Sequence, residues 1–331
     1  VHTFVNQFWE LTITGLAVGS IYALVALGYT MVYGVLQLIN FAHSEVFMYG
    51  TFAMAWVFMY IYGPNSVDKS LGAVAGTLVL ALVVAMLTSG AVALVLERLA
   101  YRPLIKRKAP KLVALISAIG ASFALSEAMG LRDRFAGWFG LDNKLSNYVS
   151  SPRDVYSNPI VIQPHTVFHI SNYGVTDVDI LVIASALVMM VVLDQFVRRS
   201  RLGRGIRAVA QDPETAALMG VNSTRVIQLT FLIGGLMAGA AATLYMIRIG
   251  STRQSAGFTF GVKAFTAAVM GGIGNLRGAL VGGLILGVAE NWGSAFFGDS
   301  WRDVVAFVLL VLILLFRPTG ILGEALGKAR A

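Results

Sequence analysis

The chain of 331 residues contains no cysteine. It therefore forms no disulfide and offers no thiolate to a metal or to catalysis, and redox chemistry says nothing about its compartment. Charge is scarce as well. Asp, Glu, Lys and Arg make up 13% of residues against 57% apolar ones, and mean hydropathy is +0.74. Soluble domains carry roughly 25% charged residues, so a soluble fold is excluded. There is no G-x-x-x-x-G-K-[ST] phosphate loop. The closing "GEALGKAR" has Gly327 and Lys328 but lacks the first glycine at the required spacing and the hydroxyl after lysine. The chain does not hydrolyse ATP itself. The opening "VHTFVNQFWE" lacks a basic n-region, and the apolar run after it continues past any small-residue cleavage site, so the first segment is expected to be retained.

What is present is a succession of apolar stretches, each near the roughly 20 residues a helix needs to cross a bilayer. Spans are expected at about 11–34, 46–62, 71–96, 112–131, 178–197, 226–247, a broken segment 262–292, and 302–316. The whole of 1–331 reads as one all-α polytopic membrane domain of about eight helices, with broken or re-entrant helices near 35–46 and 262–292. The connection 97–111 holds Arg98, Arg102, Lys106, Arg107, Lys108 and Lys111 against Glu97 alone, and 198–225 is similarly basic. The positive-inside rule puts both in the cytoplasm. The net charge of +8 is then explained by basic loops beside anionic lipid rather than by nucleic acid. The segment 132–177 mixes both signs (Arg132, Arg134, Lys144 and Arg153 with Asp133, Asp142, Asp154 and Asp177) and is expected outside.

With 248–261 and 293–301 both outside, 262–292 is expected to enter and return on two short arms, turning at "GGIGNLRG" with Arg277 near the inner face; the alternative is a single long tilted helix whose glycines serve packing. Glycine-interrupted arms suit a backbone that lines a pathway, which makes Gly271, Gly272 and Gly274 pathway candidates. Gly15/Gly19, Gly235/Gly239, Gly278/Gly282 and Gly283/Gly287 stand four apart, a pattern for close helix packing. Ion-coupled carriers need ionisable groups at depth. Here Glu127, Glu290, Lys263 and Asp194 all fall near expected span ends, where interfacial water can serve them. No metal site is expected, because His43 and Glu45 alone fall short of the usual three or more protein ligands, and no catalytic residue is assigned.

Two polar stretches stand out. In 204–224, Asp212 can cap a short helix, Pro213 suits its first position, Glu214 favours its positive end, Ala216 and Ala217 give a narrow face, Gly220 ends it, and Asn222 restarts the chain. In a bundle without a motor, this is a docking helix for a separate ATPase, with Arg207 beside it. In "LINFAHSEVF", residues 38–47, Asn40, His43, Ser44 and Glu45 lie between two apolar arms. Asn40 and His43 form a constriction or hold a broken helix, and Glu45 caps the second arm. The structural alternative is that Asn40 and Ser44 satisfy a backbone break and touch no solute. Tyr22, Tyr29, Tyr33 and Phe41 line the pathway or pack between helices.

"GLAVGSIYALVALGYTMVYGVLQLINFAHSEVFMYGTF", "AVAQDPETAALMGVNSTRVIQLTFLIGGLMAG", "KAFTAAVMGGIGNLRGALVGGLILGVAE" and "LFRPTGILG" together resemble the bacterial branched-chain amino acid ABC transporter permeases of the LivH type, over 11–323. Where the family usually reads N-F-A-H-G-[DE], Ser44 replaces the glycine. The resemblance implies a multi-pass subunit of the bacterial cytoplasmic (inner) membrane that imports leucine, isoleucine and valine. It would pair with a LivM-like permease above LivG-like and LivF-like ATPases, which would use ATP and Mg, and an extracytoplasmic binding protein would deliver the solute. The chain itself would bind no cofactor. It also implies that Arg207, Asp212, Glu214, Ala216, Ala217, Gly220 and Asn222 contact the ATPase. Urea, amides or other amino acids are alternative cargoes. A stand-alone channel or carrier, or a membrane enzyme using His43 and Glu45, are the competing classes.

Overall fold

A computed structural model of the chain describes residue 4 and residues 7–63, 67–138, 140, 155–157 and 160–323. The sequence signals at Asp142, Lys144, Arg153, Asp154, Gly327 and Lys328 lie outside the described residues. In chain order the helices are α1 (Phe8–Leu36), α2 (His43–Tyr62), α3 (Leu71–Leu96, continued through a π turn at Glu97–Tyr101 and a last turn to Lys106), α4 (Lys111–Gly130) and α5 (Arg132–Trp138). There follow α6 (Asp177–Arg199), α7 (Arg201–Gln211), α8 (Pro213–Leu218), α9 (Ser223–Ile249), α10 (Ala256–Gly271), α11 (Leu276–Phe297) and α12 (Arg302–Phe316). Seven of them, α1, α2, α3, α4, α6, α9 and α11, are long and apolar enough to cross a membrane, and α10 is a shorter apolar helix.

The mostly helical membrane architecture matches the expectation. The broken segment 262–292 is the pair α10 and α11, joined at residues 272–275. Only the first arm is short, 16 residues against 22 in α11. The side chain of Asn275 accepts hydrogen bonds from the Arg277 and Gly278 amides (3.0 and 3.2 Å) and so starts α11 soon enough for a full crossing. Arg277 reaches Asp194 of α6 (3.1 Å), so the turn lies at the bundle end that carries the basic segments 97–110 and 198–225.

At the opposite end, three short ladders add strand to an otherwise helical chain: Val67–Ser70 parallel to Ile160–Gln163, Tyr156–Ser157 antiparallel to Ser251–Thr252, and a hairpin of Thr166–Ile170 with Tyr173–Thr176. The hairpin leads into α6 through a capping box, Thr176 with Asp179. Asp179 is fully buried and takes the Tyr173 hydroxyl (3.1 Å) and the Arg248 guanidinium (3.3 Å), which ties this end of α6 to the end of α9.

Helices α1, α2 and α9 are largely enclosed, whereas α4, α6 and α12 turn apolar side chains outward, as lipid-facing helices do. Two glycine seams set the packing. A Cβ placed on Gly19 would lie 2.6 Å from the Gly283 carbonyl oxygen, and one on Gly15 would lie 2.7 Å from the Val288 Cα, so α1 and α11 meet backbone to backbone. Gly235 meets Ser89, Gly90 and Ala93 of α3 in the same way, and Gly239 meets Ala85 and Met86. Small residues let helices approach to van der Waals contact where lipid supplies no hydrophobic drive.

Gly19→Val is expected to destabilise the detergent-solubilised protein by roughly 1–3 kcal/mol through overpacking. Gly34→Ala, where a Cβ meets nothing within 4 Å, is expected to leave its thermal unfolding midpoint nearly unchanged.

Candidate functional site

The break between α1 and α2 is formed by residues 37–42. Gln37 takes a left-handed conformation (φ 53°) and ends α1, and α2 begins at His43 without a side-chain cap. The polar residues that follow are all inside the protein: Asn40, His43, Ser44 and Glu45 are each at most 3% exposed. The Tyr101 hydroxyl, from the π turn of α3, donates to Asn40 Oδ1 (2.9 Å). The Ser44 hydroxyl donates to the Phe41 carbonyl (2.7 Å), within the opened turn. Ser89 donates to the Val46 carbonyl (2.9 Å), which pins the first turns of α2 to α3.

His43 packs edge-on to Tyr29 (4.9 Å between centroids) in a notch opened by Gly28. Glu45 does not cap α2 with a hydrogen bond. Its carboxylate crosses to α4, where the Ser122 hydroxyl donates to Oε1 (3.2 Å), and it lies against Gly257 of α10, where a side chain would leave it no room. Asn40 Nδ2, His43 Nε2 and Glu45 Oε2 have no hydrogen-bond partner among the described residues. Phe41 stacks obliquely on Phe265 (5.5 Å) and is partly exposed.

Tyr22 belongs to a separate polar layer, two helical turns along α1 from Tyr29. Its hydroxyl donates to Glu290 of α11 (2.9 Å), and Lys263 of α10 bridges Glu290 (3.2 Å) and Asp303 of α12 (2.8 Å). Phe260 joins the two layers, with its ring 5.0 Å from Tyr22, 5.6 Å from Phe47 and 4.6 Å from Tyr245. The expectation that Glu290 and Lys263 are served by interfacial water is corrected. Glu290 is 2% exposed and Lys263 13%, and they serve each other. Glu127 and Asp194 do lie at helix ends, with Gln254 and with Arg198 and Arg277 as partners.

Gly271, Gly272 and Gly274 lie with neither layer. They make the turn at the basic end, where Gly271 packs under the Gly278 carbonyl and Gly272, at φ 105°, meets Gly323. The segment 319–323 closes over them: Ile321 and Leu322 donate to the Met270 and Gly271 carbonyls (2.8 and 3.0 Å), and Asn275 Nδ2 donates to Leu322 O (2.8 Å). Asn275 was not singled out from the sequence, although an Asn before a glycine-rich helix start is a cap signal.

The basic segment 198–225 folds into two helices. Ser200 caps α7, and Gly203 fits tightly over the Val197 backbone to turn a sharp corner after α6. Arg207 donates to the Val197 and Arg198 carbonyls, so it holds that corner. Asp212 caps α8 by accepting from the Glu214 and Thr215 amides (2.9 and 3.2 Å) and from the Thr215 hydroxyl. The Thr215 hydroxyl above all, then these amides, hold its carboxyl below the usual aspartate range. Gly220 (φ 82°) ends α8, and Asn222 caps α9 through the Arg225 amide (2.9 Å).

Ala216 is buried beneath α8. Glu214 and Ala217 face solvent, and Glu214 pairs with Lys108 (3.2 Å). The most prominent side chains are ones the sequence reading passed over: Leu218 and Met219, 87% and 81% exposed.

The family described as "Branched-chain amino acid transport system / permease component" matches residues 11–314. This chain belongs to that family. The permease is 41% identical, over 97% of both chains, to the high-affinity branched-chain amino acid transport system permease protein BraD of Pseudomonas aeruginosa. It is 40% identical to LivH of Escherichia coli K12 over 96% of both chains. A fructose import permease of Rhizobium meliloti, FrcC, is 30% identical over 50% of this chain and 48% of its own. No solved structure matches. The permease is thus a multi-pass membrane transport subunit and not an enzyme.

The buried ion pair of the permease makes a sharp prediction. Lys263→Met strands the Glu290 carboxylate and is expected to cost roughly 3–5 kcal/mol. The double variant Lys263→Met/Glu290→Leu is expected to recover most of it, as read by thermal unfolding in detergent.

Proposed function

We propose that the permease is the membrane subunit of an ATP-driven importer of branched-chain amino acids, in which α8 docks into a partner ATPase on the cytoplasmic side. The observation that carries this reading is the form of α8. A six-residue helix capped by Asp212 and ended by Gly220 projects Leu218 and Met219 into solvent at the basic end of the bundle. Two large apolar side chains so exposed on a short capped helix suit burial in a partner's cleft. Two capped corners, one on each side of α8, give the short helix a rigid mount. Movement of a partner would pass through Asn222 into α9, which packs along α1 and α3.

In this reading Asp212, Ala216, Gly220 and Asn222 shape the coupling helix, Arg207 braces its support, and Leu218, Met219, Glu214 and Ala217 meet the ATPase. A second, LivM-like permease completes the membrane unit. LivG-like and LivF-like ATPases use ATP and Mg beneath it, and an extracytoplasmic binding protein selects the solute. Leucine, isoleucine and valine are the cargo best supported, because relatives alike over nearly their whole length carry that designation. Asn40, His43 and Glu45 hold the opened turn at the head of α2, where their spare polar atoms suit water or a zwitterion during passage. Gly271, Gly272 and Gly274 form the hinge between α10 and α11.

The test is uptake of labelled leucine, with urea as comparison, into vesicles that hold the permease, its partner subunits and loaded binding protein. Accumulation is expected only with ATP on the side of α8. Leu218→Asp/Met219→Asp, and separately Gly220→Val, are expected to lower it at least tenfold while the permease still folds. Equilibration of leucine without ATP would overturn the coupled mechanism; ATP-driven uptake of urea alone would change the cargo.

A further inference from the structure

Between α7 and the start of α9 lies a cleft of about 520 Å³ that none of the coupling residues' roles explains. Arg201 and Arg204 of α7 and Arg225 of α9 stand at its rim, and Leu202, Val226 and Leu229 line it. Five arginines pair with carboxylates: Arg198 and Arg277 share Asp194, Arg102 holds Glu97, Arg248 holds Asp179 and Arg302 holds Asp299. Arg201, Arg204 and Arg225 pair with no carboxylate among the described residues and are exposed.

We propose that this cleft binds the phosphate headgroup of an anionic phospholipid, with the three arginines on the phosphate and an acyl chain along the apolar lining. The architecture matches an amphiphile. Guanidinium groups present forked donors suited to phosphate oxygens, and basic pockets at the membrane surface attract anionic lipid. Leu229 lies about 9 Å into α9 at 1.5 Å per residue, so the apolar lining leads from the rim into the spanning helix. A free inorganic anion would use the arginines and leave that lining unfilled. An acidic protein surface would meet the rim but could not follow α9 inward.

The position gives the lipid a consequence. Gly220, Val221 and Asn222, the strap between α8 and α9, form the far wall of the same cleft. A headgroup seated there braces α8 against α7, so the membrane's content of anionic lipid sets how firmly the coupling helix is held.

The full chain is reconstituted in phosphatidylcholine with a minor fraction of phosphatidylglycerol, re-extracted, and its retained lipid measured by native mass spectrometry. Phosphatidylglycerol is expected to be enriched over phosphatidylcholine. Arg201→Gln/Arg204→Gln/Arg225→Gln is expected to lower that enrichment about tenfold, and the corresponding triple lysine variant, which keeps the charge and controls for folding, is expected to keep most of it. Equal retention by the lysine and glutamine variants overturns the proposal. So does displacement of the lipid by excess inorganic phosphate, which marks a free-anion site. Loss of ATPase co-purification by the glutamine variant in pure phosphatidylcholine also overturns it, since the arginines would then be a protein contact.

Discussion

The backbone contact between α1 and α11 is the constraint on which the remaining geometry rests. Gly15 and Gly19 on one helix and Gly283 and Gly287 on the other leave no bulky side chain between the backbones at the crossing, so the two helices meet backbone to backbone. That approach brings Glu290 within reach of the Tyr22 hydroxyl, and the capped turn at Asn275 folds α10 back against α1 and α2. With α10 so placed, Lys263 meets Glu290, Gly257 meets Glu45 and Phe260 fills the space between the two polar layers. A side chain at any of the four glycines would push α11 away and dissolve contacts several turns distant.

Buried carboxylates tie the bundle together. Three buried carboxylates are met from other elements: Glu290 by Lys263 and Tyr22, Asp179 by Arg248 and Tyr173, Glu45 by Ser122. Single helices cannot satisfy these groups, and an unpaired charge in a low-dielectric interior is far costlier than the pair. The polar residues therefore fix which helices are neighbours, while the apolar residues, interchangeable against lipid, do not. The opened turn at 37–42 is tolerated for the same reason. Its exposed backbone is met by Ser44, and Asn40 is held by Tyr101, inside protein and away from lipid.

Much of this was legible in the sequence. Span positions, the hairpin with Arg277 near the basic end, and the grammar of Asp212, Pro213, Gly220 and Asn222 follow from local rules, because hydropathy, charge asymmetry and capping act within a few residues. What escaped reading was set across the chain. Glu290 and Lys263, 27 residues apart, looked like interfacial charges because nothing in their own segments shows that they meet. Glu45 looked like a helix cap because it stands in the first turn of α2, yet Ser122, 77 residues on, is what it meets. Gly271, Gly272 and Gly274 read as pathway candidates from their own segment, and that segment does not show that Gly271 and Gly272 lie under the segment 319–323. Leu218 and Met219 were passed over because apolar residues in an apolar chain carry no signal until burial shows which are left outside.

These two kinds of information converge at α8. The helix is too short to be stable by itself, since nucleation of a helical turn is unfavourable and six residues regain few bonds. It persists because both ends are fixed: Asp212 satisfies its first amides, the Gly220 and Val221 amides satisfy its last carbonyls, and Ala216 is seated in the core. Its supports differ in kind. On one side Arg207 and Gly203 lock α7 to the end of α6; on the other, Asn222 passes directly into the continuous 27-residue helix α9. Leu218 and Met219 therefore stand between a braced corner and a continuous helix. Helix α9 carries the Gly235 and Gly239 seam on α3 and lies along α1 and α2, the helices that bear the opened turn.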